Sequence, residues 1–185
     1  MIDAKRIEKA MVSIIDAIGE NPKRAGLVDT PRRIAEMYAE LFQGLGMDPK
    51  QELTVSFEEE HQEMVVVKDI PFYSMCEHHL LPFFGKVHIA YIPEMNKITG
   101  FSNLVEIVEL LAKRPTVQEQ LTSDIADTIN KVLTTKGLLV IVEAEHLCMT
   151  MIGVKKPGSK TITSAIRGVL RKDATRAEAM ALIKQ

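Results

Sequence analysis

Gly137-Leu138-Leu139-Val140-Ile141-Val142-Glu143-Ala144-Glu145-His146-Leu147-Cys148 is the stretch on which the fold turns. Its unbroken aliphatic run Leu138 to Val142, three of whose five residues are β-branched, predicts a strand over Gly137 to Ala144. The apolar residues from Cys148 to Val154 predict an antiparallel partner, so His146 and Cys148 fall at the junction of two strands. The second cysteine stands in Cys76-Glu77-His78-His79. Both cysteines and three of the five histidines therefore lie in two short clusters far apart in the chain.

Outward from that strand, the pattern alternates between sheet and helix. Met64 to Val67 and Lys86 to Pro93 read as strands flanking the Cys76 cluster. Gly100 to Lys113 reads as a helix capped by Ser102, with Leu104, Ile107, Val108 and Leu111 on its buried face. Leu121, Ile125, Ile129 and Leu133 recur every four residues in a helix from about Thr116 to Thr134. Thr161 to Val169 is a further strand and Thr175 to Ile183 a terminal helix. Two strands, two helices and two or more strands make an α+β fold, an antiparallel sheet with two helices on one face.

Ahead of this body, Ile7, Met11, Ile14, Ile15 and Ile18 form a helical stripe within residues 3–18, ending at Gly19. Thr30-Pro31 opens a second helix as cap and first residue. The acidic, aperiodic segment Asp48 to Gln62 reads as a linker. The expected division is a helical arm with its linker over 1–62 and a catalytic body over 63–185. His61 and His88 are expected to be ordinary surface residues.

Composition narrows the function classes. The 23 basic and 25 acidic side chains are interspersed and sum to −2. No basic stripe for nucleic acid and no polybasic membrane anchor is present. The charged start, Asp3-Ala4-Lys5-Arg6, and the lack of a signal-length apolar run make the cytoplasm the expected location. Thiols stay reduced there, so the cysteines point to metal or catalysis ahead of a disulfide.

Two thiolates and an imidazole, from Cys76, His79 and Cys148, suit zinc and leave its fourth position open to water. His78 and His146 would then remain as imidazoles for general acid and base work. Two other readings stay open on spacing alone: a closed site in which His78 or His146 is the fourth ligand, and two buried free cysteines with no metal.

Phe72-Tyr73-Ser74-Met75-Cys76-Glu77-His78-His79, Gly85-Lys86-Val87-His88-Ile89-Ala90-Tyr91-Ile92-Pro93, Val117-Gln118-Glu119 and Glu143-Ala144-Glu145-His146-Leu147-Cys148-Met149 resemble the GTP cyclohydrolase I family, type IA. The likeness runs from Asp29-Thr30-Pro31 to Arg167-Gly168. It implies the tunnelling fold, or T-fold, with subunits forming pentameric barrels that stack as a homodecamer and sites at subunit boundaries. It implies Zn2+ held by Cys76, His79 and Cys148, with His78 and His146 catalytic. It also implies that Gln118 and Glu119 read the guanine edge; the blander reading of Thr116-Val117-Gln118-Glu119 is a capping box that opens a helix. The implied chemistry is addition of water at C8 of the guanine imidazole ring, ring opening, loss of formate, and closure to dihydroneopterin triphosphate.

The substrate-binding positions depart from the family's pattern. Where the family carries Ser-Lys-x-x-Arg and a later arginine, this chain has Ser102, Asn103, Glu106 and Ile152. Each close charge pair is worth about 4 kcal/mol at an effective dielectric near 20, before desolvation is subtracted. The expectation is therefore a paralogue opening a guanine-type base, nucleoside or oxidised purine with little or no phosphate. The alternative is an ordinary GTP cyclohydrolase I, with Lys155, Lys156, Lys160 and Arg167 compensating. A non-catalytic purine or pterin binder is the second alternative.

Overall fold

Helix α1 (Ala4–Ala17) begins where the Asp3 carboxylate accepts from the Arg6 N–H at 3.1 Å; α2 (Thr30–Leu41) begins one residue earlier than expected, with Asp29 at the cap position, Thr30 inside the helix and no side-chain capping bond. In this computed structural model, residues 2–49, 51, 57–58, 61–94 and 97–185 are described. The chain continues through β1 (Phe57–Glu58), β2 (Val65–Cys76), β3 (Pro82–Ile92), β4 (Lys97–Ile98), α3 (Phe101–Ala112), β5 (Pro115–Thr116) and α4 (Gln118–Leu133). It ends with β6 (Gly137–His146), α5 (Leu147–Thr150), β7 (Lys160–Gly168), a short 3₁₀ turn at Val169–Arg171, and α6 (Asp173–Lys184).

The main sheet runs β5-β2-β3-β6-β7, antiparallel except where β5 joins β2 in parallel. Strand alternation sends Phe83, Val87, Ile89 and Tyr91 of β3 to one face. There they pack with Leu104, Ile107 and Val108 of α3 and with Leu121, Ile125 and Ile129 of α4. This is the α+β tunnelling-fold unit. The sheet's other face is also partly covered, because Ala90, Leu139, Ile141, Leu170 and Ala179 bury a second, smaller core together with Met180 and Ile183 of α6.

Several boundaries differ from the expectation, each for a local reason. Strand β2 is far longer than Met64 to Val67. Asp69, with φ of +60°, breaks the ladder between Val67 and Ile70, and pairing then resumes up to the cysteine. Cys148 to Val154 is no strand: its apolar residues form α5 and a turn in which Met151, Ile152 and Val154 are exposed, and β7 is the true partner of β6. Ser102 is inside α3, whose cap is Gly100, and α4 is capped by Val117 without a side-chain bond, so neither expected side-chain cap forms. The expected linker lies largely outside the described residues, but its Phe57–Glu58 pairs with Lys97–Ile98. His88 is half-buried, and its Nδ1 accepts from the Asp69 N–H at 3.1 Å.

The arm meets the body where the Gly44 N–H donates to Lys113 O at 3.1 Å and Arg114 Nη2 donates to Met47 O at 2.8 Å. A Cβ on Gly44 would stand 2.2 Å from Leu110 O, so only glycine permits this approach.

Gly85 is the comparable point within the sheet, where a Cβ would stand 1.9 Å from Glu143 O. Gly85→Ala is expected to spread β3 from β6 and to cost at least about 2 kcal/mol, visible as a lower urea midpoint. Because the same pairing seats His146 beside Phe83, metal affinity is expected to fall along with stability.

Candidate metal centre and active site

Cys76 is the last residue of β2, and the turn after it is tight. Its N–H donates to Leu81 O at 2.9 Å, and its carbonyl accepts from the Leu80 N–H at 2.8 Å. Leu80 adopts φ of +50° to close that turn. The Glu77 N–H donates to Thr116 O at 3.1 Å, which ties the turn to β5 and so to the start of α4. His78 and His79 stand in this turn, exposed, with their rings edge to face at 6.4 Å.

The second cluster reaches the same place through strand register. Phe83, one residue into β3, lies opposite His146, the last residue of β6, and Cys148 follows in the first turn of α5. The sulfur atoms of Cys76 and Cys148 and a ring nitrogen of His79 all lie within 4.8 Å of one another. Tetrahedral zinc with two thiolates and an imidazole needs donor separations of about 3.5–3.8 Å, so this set fits with a small closure of the exposed His79.

The electrostatics also suit a cation. Burial pushes the Cys148 thiol up, and the adjacent Cys76 pushes it further in the same direction. A divalent ion shared with the neighbouring sulfur would stabilise Cys148 as the thiolate. The N-terminus of α4, Val117 to Glu119, lines the same cavity of about 190 Å³, and its unpaired amides favour negative charge there.

His146 is held on two sides. Its ring stacks on Phe83 with centroids 4.8 Å apart and planes 3° from parallel. Its Nε2 lies 2.7 Å from Gln118 Oε1. Burial pushes the imidazole below its ordinary range and Glu119 opposes this only in part, so the ring is neutral at neutral pH. Glu119 is exposed at the cavity wall, as an acceptor for a substrate must be. Gln118 is different: it is 1% exposed, and its amide group is bonded within the protein.

The remaining sequence candidates lie elsewhere in the single chain. Ser102, Asn103 and Glu106 are on α3; the Asn103 amide donates to Thr99 Oγ1 at 3.0 Å, and Glu106 faces a separate cavity with Gln43 and Lys113. Ile152 is exposed beyond α5. None of the four lines the cavity that holds Cys76, His78, His146 and Cys148. Among the candidate compensating cations, Lys160 is paired with Glu143 and Arg167 with Asp127. The sequence reading missed Phe83, Thr161 and Thr163. Phe83 was visible as an apolar residue close after the first cluster, whereas the threonines carry no local signal and come to the site only through the pairing of β6 with β7.

A thiol pair and a nearby imidazole that could hold a metal ion, with two further imidazoles beside them, are a set of groups suited to a hydrolytic enzyme. A family model described as GTP cyclohydrolase I matches residues 7–184. The chain is 62% identical to GTP cyclohydrolase 1 of Pelotomaculum thermopropionicum, over 100% of this chain and 98% of that protein. It is 62% identical to that of Carboxydothermus hydrogenoformans, over 99% of this chain and 96% of that one, and 60% identical to that of Geobacillus kaustophilus, over 99% and 98%. The chain belongs to the GTP cyclohydrolase I family, and it is a hydrolase acting on cyclic amidine C–N bonds. Among the described residues, no helix is long and apolar enough to cross a membrane.

Dialysis of the zinc-loaded protein followed by metal analysis tests the donor set. Cys76→Ser, His79→Ala and Cys148→Ser are each expected to lose the ion, while His78→Ala and His146→Ala retain it. Loss of zinc from either of the last two would make that histidine a ligand.

Proposed function

We propose that the protein opens the imidazole ring of GTP at C8, releasing formate and yielding a dihydroneopterin triphosphate, with Zn2+ held by Cys76, His79 and Cys148. The observation that carries this reading is the convergence of those three donors within 4.8 Å, with Cys76 and Cys148 lining the cavity that also presents His146 and Glu119. The bound zinc would supply Lewis-acid activation of water. His78 and His146, on the same cavity, are the general acid and base groups that would exchange protons with the ring nitrogens. Glu119 accepts from the two N–H groups on the guanine edge, a geometry that a carboxylate matches.

The identities of 60–62% to proteins named GTP cyclohydrolase 1 favour the ordinary substrate over the phosphate-poor purine expected from Asn103, Glu106 and Ile152. One specific observation keeps the second reading in play: the positions where the family pattern carries cations hold an amide, a carboxylate and an aliphatic chain.

We also propose that the working form is a homo-oligomer, a decamer of two pentamers, in the cytoplasm. Two features support a neighbour completing the site. A cavity of about 190 Å³ is smaller than the pockets of about 300–1,000 Å³ that enclose small molecules. The arm exposes Val12, Ile14, Ile18, Val28 and Met37, an apolar surface that the single chain leaves uncovered.

Incubating the zinc-loaded protein with GTP, guanosine, guanine and 8-oxoguanine, with formate and purine absorbance followed separately, decides the substrate. Formate release from GTP alone is expected. Turnover confined to the phosphate-free compounds would overturn the GTP reading, and binding without turnover of any would make the protein a purine binder. With GTP as substrate, the triple change Asn103→Lys, Glu106→Arg and Ile152→Arg is expected to lower KM by at least about tenfold, equivalent to about 1.4 kcal/mol.

A further inference from the structure

The Gln118 amide is buried among groups whose donor and acceptor roles can be assigned one by one. Its Nε2 lies 3.0 Å from Val142 O, 3.0 Å from Thr161 O and 3.1 Å from Thr163 Oγ1. Two of these are backbone carbonyl oxygens, which only accept. Flipping the amide would set Oε1 against both carbonyls, so the NH₂ group must face them. The hydroxyls agree with that orientation. Thr122 Oγ1 donates to Gln118 O at 2.7 Å, which uses its only proton. Thr163 Oγ1, 2.6 Å from Thr122 Oγ1, must then be the donor of that pair, which leaves its lone pairs toward the Gln118 NH₂.

Gln118 Oε1 therefore has one possible role toward His146 Nε2 at 2.7 Å, which is to accept. A neutral imidazole that donates from Nε2 carries no proton on Nδ1. Stacking on Phe83 fixes the plane of the ring, and the Gln118 bond fixes its rotation within that plane. The anchors come from three elements: α4 supplies Gln118 and Thr122, β6 supplies Val142, and β7 supplies Thr161 and Thr163.

We infer that Gln118 is a positioning residue that locks His146 as the Nε2–H tautomer, so that any proton His146 accepts or returns during ring opening passes through Nδ1. The proton on Nε2 stays committed to Gln118 throughout, and the exposed Glu119 is left as the member of the pair that reads the base. The assignment of the tautomer stands on the hydrogen-bond geometry, while its consequence for the reaction rests on the ring-opening function proposed above.

Solid-state ¹⁵N spectroscopy of histidine-labelled protein, well above the ordinary imidazole range of pH and with and without added zinc, reads the tautomer directly. The His146 signals are assigned by their disappearance in His146→Asn. A protonated Nε2 with a bare Nδ1 is expected, and a proton on Nδ1, or an even mixture, overturns the inference. Gln118→Met, similar in length but unable to accept, is expected to release the mixture and to lower kcat roughly 10- to 100-fold, the range for partners that orient a functional imidazole. KM should change by less than about threefold, since the loss is not one of substrate binding. A raised KM at unchanged kcat would instead make Gln118 a substrate reader and overturn the proposal. Should Gln118→Met fail to fold, the tautomer of the unsubstituted protein still decides the matter. A protein that opens no purine, yet keeps His146 protonated on Nε2, would sink the ring-opening reading and leave this assignment standing.

Discussion

Ten residue pairs between β3 and β6, from Phe83 opposite His146 to Ile92 opposite Gly137, form the constraint on which the rest of the molecule depends. A strand's side chains alternate in direction, so a slip of one residue would turn the buried row Phe83, Val87, Ile89 and Tyr91 away from α3 and α4. Burial of that row forbids the slip. The same register carries His146 to the start of β3, next to the turn that holds Cys76 and His79. The hydrophobic core, to which Cys76 itself belongs, thereby sets the position of the site.

Polar groups at the end of the sheet are arranged so that each desolvated donor meets an acceptor. The buried Gln118 amide joins α4 to β6 and β7, and the Thr122 and Thr163 hydroxyls complete its surroundings. An incomplete network of this kind would cost more than an apolar core of the same shape, so its completeness is what allows a polar side chain to be 1% exposed. The thiols differ in kind. Left without a cation, Cys148 is held protonated by burial and by its neighbour Cys76, and a shared divalent ion reverses both effects at once.

Much of the fold was legible because burial writes itself into periodicity. Leu138 to Val142 is apolar at every position, the mark of a strand covered on both faces, and α6 on the second face accounts for Leu139 and Ile141. The extent of β2 was hidden because Lys68-Asp69 interrupts the alternation at the ladder's break, which is a feature of backbone pairing with no periodic signature. Met149, Met151, Ile152 and Val154 misled in the opposite direction. Apolar residues usually signal burial, yet Met151, Ile152 and Val154 are exposed in the single chain.

The candidate donors were legible in the sequence alone, because cysteine and histidine are rare here and their clustering needs no geometry to be noticed. Cys76, His79 and Cys148 were nameable before any contact was known. Which atom of His146 is free, and why Gln118 is turned inward while Glu119 beside it faces the cavity, were decided only by tertiary structure. Those properties depend on where Val142, Thr161 and Thr163 present their oxygens. Such oxygens are brought together by β-pairing between segments some twenty to forty residues from Gln118 in the chain, and nothing in the local sequence encodes that meeting.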